Sequence, residues 1–331
     1  MGHVVADGYE PGGRVIRTPV ALFAYNRPDH THRALEALSR CRRAADCDFF
    51  LFSDGPKSEA AAPMVEQTRG VLRTWARRLK AEVVERPQNL GLARSIHAGV
   101  TDLTLRYGRV VVVEDDLVVG PDFLHFMLEA LDRYANEDAV LQVGGFPLSP
   151  PDRGEFDAFL LPVTTTWGWG TWQRAWAHFS WQPEELEATQ RDPDWRKLFD
   201  INGAGSFSTM LEDRLAGKND SWGILWWYAV SRRRGLVVYP AVNLVWNGGF
   251  DGSGIHSGSN DFLRQADVDA LNGSRIPDRL RFPATLVVDP QDMRRLEAFL
   301  RRLGGGAQAP PPRQRPKIVQ WLVKRVQHAF S

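Results

Sequence analysis

The sequence predicts a doubly wound α/β fold with a mostly parallel sheet flanked by helices. Three observations carry that prediction. Apolar, β-branched runs alternate with helix-period stretches through residue 145. The run Arg109-Val110-Val111-Val112-Val113 is apolar on both sides, as a strand buried under helices on each face must be. Several predicted strands stop directly on polar or acidic residues, and the carboxyl edge of an open parallel sheet is where ligands bind.

Residues 1–17 read as a loose, Gly-rich leader. Pro19 to Tyr25 is the first predicted strand, followed by the turn Asn26-Arg27-Pro28-Asp29 and a helix through Leu35 and Leu38 that Asp29 or Thr31 would cap. Asp48 to Ser53 is a strand ending at Asp54-Gly55, with a helix over 59–79 behind it. A short strand over 82–85, the turn Asn89-Leu90-Gly91-Leu92 and a helix over 93–107 lead into the valine strand. A helix from Pro121 to about Tyr134 and a strand over 140–145 follow. Further on, the pattern predicts helices over 184–198, 207–215 and 224–230, a strand over 236–239 and an edge strand over 286–288. The loop Asn243 to Gly258 is dense in Gly, Asn and Ser.

The bulk numbers narrow the function classes. The 331 residues are 43% hydrophobic and 24% charged, ordinary for a globular protein. A net charge of +1 gives no global field for nucleic acid. Cys41 and Cys47 lack zinc spacing, which points to a reducing, cytoplasmic compartment. No run reaches signal-peptide or membrane-spanning length.

The valine strand ends on Glu114-Asp115-Asp116. Three adjacent carboxylates repel one another unless a cation sits among them, and hard oxygen ligands suit Mn²⁺ or Mg²⁺. Asn26-Arg27, Asp54-Gly55 and this acid triplet each follow a predicted strand, so all three are expected along one sheet edge. Such an edge suits a nucleotide: Asp54 would accept from a base N–H, and Arg27 would serve base or phosphate. No Gly-x-Gly-x-x-Gly follows the first strand, so this is not the dinucleotide fingerprint.

Most of the chain's 12 tryptophans lie between Trp167 and Trp246. Thr164-Thr165-Thr166-Trp167-Gly168-Trp169-Gly170-Thr171-Trp172 reads as an irregular aromatic loop whose glycines bring backbone to a ligand and whose rings form its wall. Asp220 precedes the helix at 224–230 and reads as its N-cap. At the end, residues 304–316 are a Gly- and Pro-rich linker, and Lys317 to Phe330 a basic amphipathic helix suited to a membrane surface.

The ordered set of motifs over about 18–258 resembles GT-A-fold glycosyltransferases, close to the bacterial relatives of N-acetylglucosaminyltransferase I. The matching pieces are Asn26-Arg27-Pro28, Ser53-Asp54-Gly55, Asn89-Leu90-Gly91, Glu114-Asp115-Asp116-Leu117, the Trp167–Trp172 stretch, Asp220-Ser221-Trp222, and Asn247-Gly248-Gly249 with Asp251 to His256. The resemblance implies a metal-dependent inverting glycosyltransferase that moves a sugar from a nucleoside diphosphate sugar, UDP-linked by preference, to a glycan or lipid-linked acceptor in surface polysaccharide or lipopolysaccharide synthesis. It implies Asp116 and His256 at the metal, Asp115 at the ribose or metal, and Arg27, Asp54, Trp169 and Gly170 at the nucleotide sugar. It implies Asp220 as catalytic base, with Glu212 and Asp213 close by in sequence as alternatives. Residues 18–145 would then be the nucleotide-sugar half and 146–303 the acceptor half of one domain, the enzyme being cytoplasmic with 317–331 at the inner membrane face. A metal-dependent nucleotidyl- or phosphotransferase and a non-catalytic nucleotide-sugar-binding protein are the competing readings.

Overall fold

The computed structural model describes residues 17–151, 155–183, 186–249, 271 and 275–304. The first half follows the predicted alternation: β1 (Thr18–Ala24), α1 (Pro28–Ser39), β2 (Cys47–Ser53), α2 (Ala62–Leu79), β3 (Glu82–Glu85), α3 (Leu92–Tyr107) and β4 (Arg109–Glu114). Then come β5 (Leu117–Val119), α4 (Phe123–Arg133), β6 (Val140–Gly144), β7 (Ala158–Leu161), β8 (Trp169–Trp172) and α5 (Gln173–Trp176). The last part holds α6 (Leu186–Arg191), α7 (Pro193–Phe199), α8 (Phe207–Leu215), α9 (Gly223–Arg232), β9 (Leu236–Pro240), β10 (Val245–Asn247) and α10 (Pro290–Gly304).

One eight-stranded sheet runs in the order β3-β2-β1-β4-β8-β6-β9-β7, and β10 pairs with β5 in a separate ribbon. Strands β3, β2, β1 and β4 are all parallel. The valines of β4 are fully buried, which explains why a run without polar alternation forms a strand here. Strand order reverses between β1 and β4, and that switch point is where an open α/β sheet opens a crevice. The register aligns the strand ends: Ala24 lies opposite Ser53 and Phe23 opposite Glu114. Arg27, Asp54 and the acid triplet therefore leave the sheet along the same edge, as the sequence predicts.

Strand β8 runs against both its neighbours, β4 and β6. This corrects the second half of the irregular aromatic loop expected at 164–172; residues 164–168 are irregular as expected. Alternation explains it, with rings and glycine on successive positions. Trp169 is fully buried against Trp176, Trp222 and Trp226, with ring centroids 5.7, 5.5 and 6.3 Å away. Gly170, on the other face, leaves space that Met127 and Leu131 of α4 fill. Glycine is therefore a packing partner in this strand and not a breaker.

Other expectations shift locally. α1 begins at Pro28 with no side-chain cap; Thr31 Oγ1 instead donates back to Arg27 O at 2.8 Å. Pro28 suits the first helical position because its missing N–H has no partner to lose there. The helix expected over 184–198 is interrupted before Pro193, where Asp192 caps α7 by accepting from Asp194 N and Trp195 N. Residues 286–288 form no strand. Strands β5, β7 and β10 were too short to carry a period, and α10 went unread. The leader at 1–16 and the segment 317–330 lie outside the described residues.

Candidate functional site

The site begins where β1 and β4 end. Asp115 N donates to Phe23 O at 3.0 Å, and Asp115 Oδ2 accepts from Tyr25 N at 3.2 Å. Arg27 Nη1 reaches Asp116 Oδ2 at 3.2 Å, with both side chains about one-fifth exposed. Arg27, Asp115 and Asp116, three of the residues singled out from sequence, thus meet at the switch point. Burial raises the Glu114 carboxyl well above its ordinary range, and Asp116 and then Asp115 add to the rise. Asp115 is pushed up to about 7, first by burial and then by the Asp116 charge, against the pull of Arg27. Burial also raises Asp116, opposed by Arg27 and His30. One guanidinium stands against three crowded acids, so the cluster is short of positive charge.

The ribbon of β5 and β10 brings a second segment to Asp116. Leu117 pairs with Asn247, and Gly248 N donates to Asp116 O at 2.8 Å. Gly249 N donates to Asn247 Oδ1 at 2.8 Å, folding the backbone back on itself. A Cβ on Gly249 would overlap Asp116 Oδ2 where it now stands, so a larger residue would have to displace the carboxylate. His30 of α1 reaches this bend from the other side, its Nε2 3.3 Å from Gly248 O. His256 lies outside the described residues.

Asp54, expected at the base, is held by backbone amides. Its Oδ1 accepts from Gly55 N and Leu90 N at 3.0 and 2.9 Å, and its Oδ2 from Gly91 N at 2.9 Å. The residue is 5% exposed, and its carboxylate ties the end of β2 to the start of α3. These amides, not a base N–H, satisfy it. Sequence reasoning missed the residue beside it. Arg86 follows β3 directly, and its Nη2 donates to Ser95 O at 3.3 Å. Its Nη1 is buried without a hydrogen-bond partner among the described residues, and burial lowers the guanidinium pKa. The signal was the one used for Arg27: a cationic residue just past a strand's carboxyl end. His30 carried the same signal, in the first turn of the helix after β1.

On the β8 side stand Trp169 and Gly170, the two residues expected at the nucleotide sugar. Trp169 is fully enclosed, and Gly170 is laddered between Val111 and Val143, so neither offers a surface to a ligand. Asp220 is exposed, and Ser221 does the capping expected of it, its Oγ accepting from Ile224 N at 3.3 Å. The neighbours of Asp220 are anchored. Asn219 Nδ2 donates to Met210 O at 3.2 Å, Ser221 O accepts from Arg214 Nε at 3.1 Å, and the Trp222 ring packs on Trp169. Since Trp169 pairs with Val112, this packing carries the 219–222 segment toward the carboxyl half of β4. The alternatives are engaged elsewhere: Glu212 pairs with Arg196 at 2.8 Å and Asp213 with Lys218 at 2.9 Å.

Among solved structures, the chain is similar to the mannosyltransferase PcManGT from Pyrobaculum calidifontis in complex with GDP-Man and Mn²⁺, at 13% identity and a TM-score of 0.38, over 65% of this chain and 69% of that one. GalNAc-T7 with UDP, GalNAc and Mn²⁺ is similar at 9% identity and a TM-score of 0.44, over 72% of this chain and 44% of that one. S. aureus TarS is similar at 14% identity and a TM-score of 0.32, over 45% of this chain, which spans only 25% of that protein. No curated protein matches the chain. The family model described as Glycosyl transferase family 2 matches residues 20–194, from β1 through the acid triplet and β8 into α7. That match takes in more than half of the chain and the ends of β1, β2 and β4, so the protein belongs to glycosyl transferase family 2.

Proposed function

We propose that this family member is a divalent-metal-dependent, inverting enzyme that moves a sugar from a nucleoside diphosphate sugar, UDP-linked by preference, to a hydroxyl of a glycan or lipid-linked acceptor. The observation that carries the reading is the meeting of Arg27, Asp115, Asp116 and the Gly248–Gly249 backbone at the switch point. Membership in glycosyl transferase family 2 favours this reading over a nucleotidyl- or phosphotransferase and over a non-catalytic binding protein.

The residues present fit a hard cation. Their donors are carboxylate oxygens, and their charge is resisted by burial and by one another. Asp116, supported by Asp115, would hold Mn²⁺ or Mg²⁺, with His256 as a further ligand. Among the described residues no three His, Cys, Asp or Glu side chains converge into a metal site, so diphosphate oxygens and water would complete the shell. Once bound, the ion supplies charge stabilisation for the departing diphosphate. Arg27, already on Asp116, adds a fixed positive charge on the same edge. Arg86, whose buried Nη1 has no hydrogen-bond partner among the described residues, is assigned to the base or ribose beside Asp54.

Asp220 is assigned the proton of the acceptor hydroxyl. It is exposed, held between anchored neighbours, and clear of the ion pairs that occupy Glu212 and Asp213. A single base and no covalent intermediate give inversion. On this reading 18–145 is the donor half and 146–303 the acceptor half of one domain. The proposal extends to surface polysaccharide or lipopolysaccharide synthesis at the cytoplasmic membrane face, which rests on the family resemblance and on the basic amphipathic composition of Lys317 to Phe330.

The test is a panel of UDP-, GDP-, dTDP- and CDP-sugars, followed by calorimetry and by slow donor hydrolysis, with Mn²⁺ and with EDTA. One donor class should bind and hydrolyse with Mn²⁺ and fail with EDTA. Indifference of every donor to the metal would defeat the reading.

A further inference from the structure

We propose that His30 is a positioning residue for the acidic site, holding the Asn247–Gly249 bend against Asp116. The inference rests on the reading of Asp116 as the acid that faces metal and diphosphate.

His30 sits in the first turn of α1, three residues after Arg27, and is 8% exposed. Its Nε2 lies 3.3 Å from Gly248 O, a partner 218 residues away in sequence. A carbonyl oxygen only accepts, so Nε2 carries the proton in this contact. The next peptide group over faces the acid: Gly248 N donates to Asp116 O at 2.8 Å. A line of hydrogen bonds therefore runs from the helix after β1, past the end of β10, to the second residue after β4.

Among the described residues its other ties are the pairing of β10 with β5 and the bond from Gly248 N to Asp116 O. β10 and β5 are three residues each, and a two-stranded ribbon of that length is marginal alone. Asn247 folds the bend internally through Gly249 N but does not fix it to the sheet. Yet the bend must be placed closely, because the Gly249 backbone passes where a Cβ would overlap Asp116 Oδ2. His30 adds an anchor from α1, and Arg27 of the same turn reaches the same carboxylate oxygen. The turn after β1 thus fixes both the charge and the backbone wall around Asp116.

The experiment uses the full chain and its His30→Ala, His30→Gln and Gly249→Ala variants. Binding of UDP and of GDP is measured by calorimetry with MnCl₂ and with EDTA, alongside thermal melts. His30→Ala should weaken Mn²⁺-dependent binding about tenfold, the weight of one buried hydrogen bond. Its binding in EDTA should stay within about twofold of the unchanged chain. His30→Gln, whose amide N–H replaces Nε2–H, should restore binding to within about threefold. Gly249→Ala should lose as much as His30→Ala without touching the imidazole, and it carries the test if His30→Ala does not fold. The proposal is overturned if His30→Ala binds normally in Mn²⁺, if Mn²⁺ and EDTA binding fall together, or if glutamine gives no rescue. If the unchanged chain binds neither diphosphate in Mn²⁺, the donor-site reading itself fails and this inference falls with it.

Discussion

The two flanks of β4 are built on opposite principles. On the β1 side the sheet ends in charge: Arg27, Asp115 and Asp116 converge with partial exposure, and backbone approaches them through glycine. On the β8 side it ends in rings, and Trp169, Trp222, Trp226 and Trp227 are all buried to within 1%. Both flanks use glycine, for different ends. Gly249 gives up its side chain so that main chain can sit on a carboxylate, whereas Gly170 does so to admit Met127 and Leu131. The same residue type beside the same strand serves polar crowding in one place and apolar packing in the other. Composition alone does not distinguish them; their neighbours do.

Mutations can break this contrast. Trp169→Ala should act on stability alone, lowering it by about 3–5 kcal/mol through the cavity it opens. Folded variant at low temperature should keep the donor affinity of the unchanged chain in a calorimetric titration. Weaker binding per folded molecule would return Trp169 to the ligand wall. Asp116→Ala should do the reverse, cutting transfer by about 10³-fold through lost charge stabilisation at the diphosphate. Its melting temperature should hold or rise, because the variant relieves repulsion among Glu114, Asp115 and Asp116. Normal turnover would remove the metal from this side of β4.

Asp220→Asn tests the bridge between the two flanks. Transfer should fall by at least about 10²-fold, the lower end of a general base's contribution, with donor binding intact. NMR of the product should show inversion at the donor's anomeric carbon; retention would end the single-displacement scheme. The smallest effect belongs to the two thiols, remote from both chemistries. Burial pushes Cys41 and Cys47 up to about 12. The unfolded chain loses these protons first, so their contribution is complete below the ordinary thiol value and is lost as pH climbs toward 12. By pH 10 each thiol should cost about 1.5–2 kcal/mol of stability. Urea midpoints between pH 8 and 10 report this, and a Cys41→Ala/Cys47→Ala chain should flatten the slope.

The donor flank was legible in the sequence because its information is local. An apolar run that stops on Glu114 states both a strand and its polar end, and parallel alternation fixes the edge on which Arg27 and Asp116 appear. What stayed hidden there was occupancy. Nothing in Asp54-Gly55 reveals that the amides of Leu90 and Gly91 already fill the carboxylate, nor that Gly248 O waits for His30. The ring flank was misread because its logic is tertiary. Trp169-Gly170-Thr171-Trp172 becomes a strand only through α4 on one face and the tryptophans of α5 and α9 on the other, none of which a short window contains.

The reversed direction of β8 also sets an order of events during synthesis. Strands β1, β2 and β3 can pair as soon as β4 has emerged, and their helices can cover them. One side of β4 then stays bare, a row of valines with unpaired amides and carbonyls, until residues 169–172 leave the ribosome. An open apolar edge of this kind recruits other chains. A nascent or truncated chain that has passed residue 114 and not yet reached 172 is therefore the stage most exposed to aggregation. The tryptophans of β8 arrive with the strand that closes that edge.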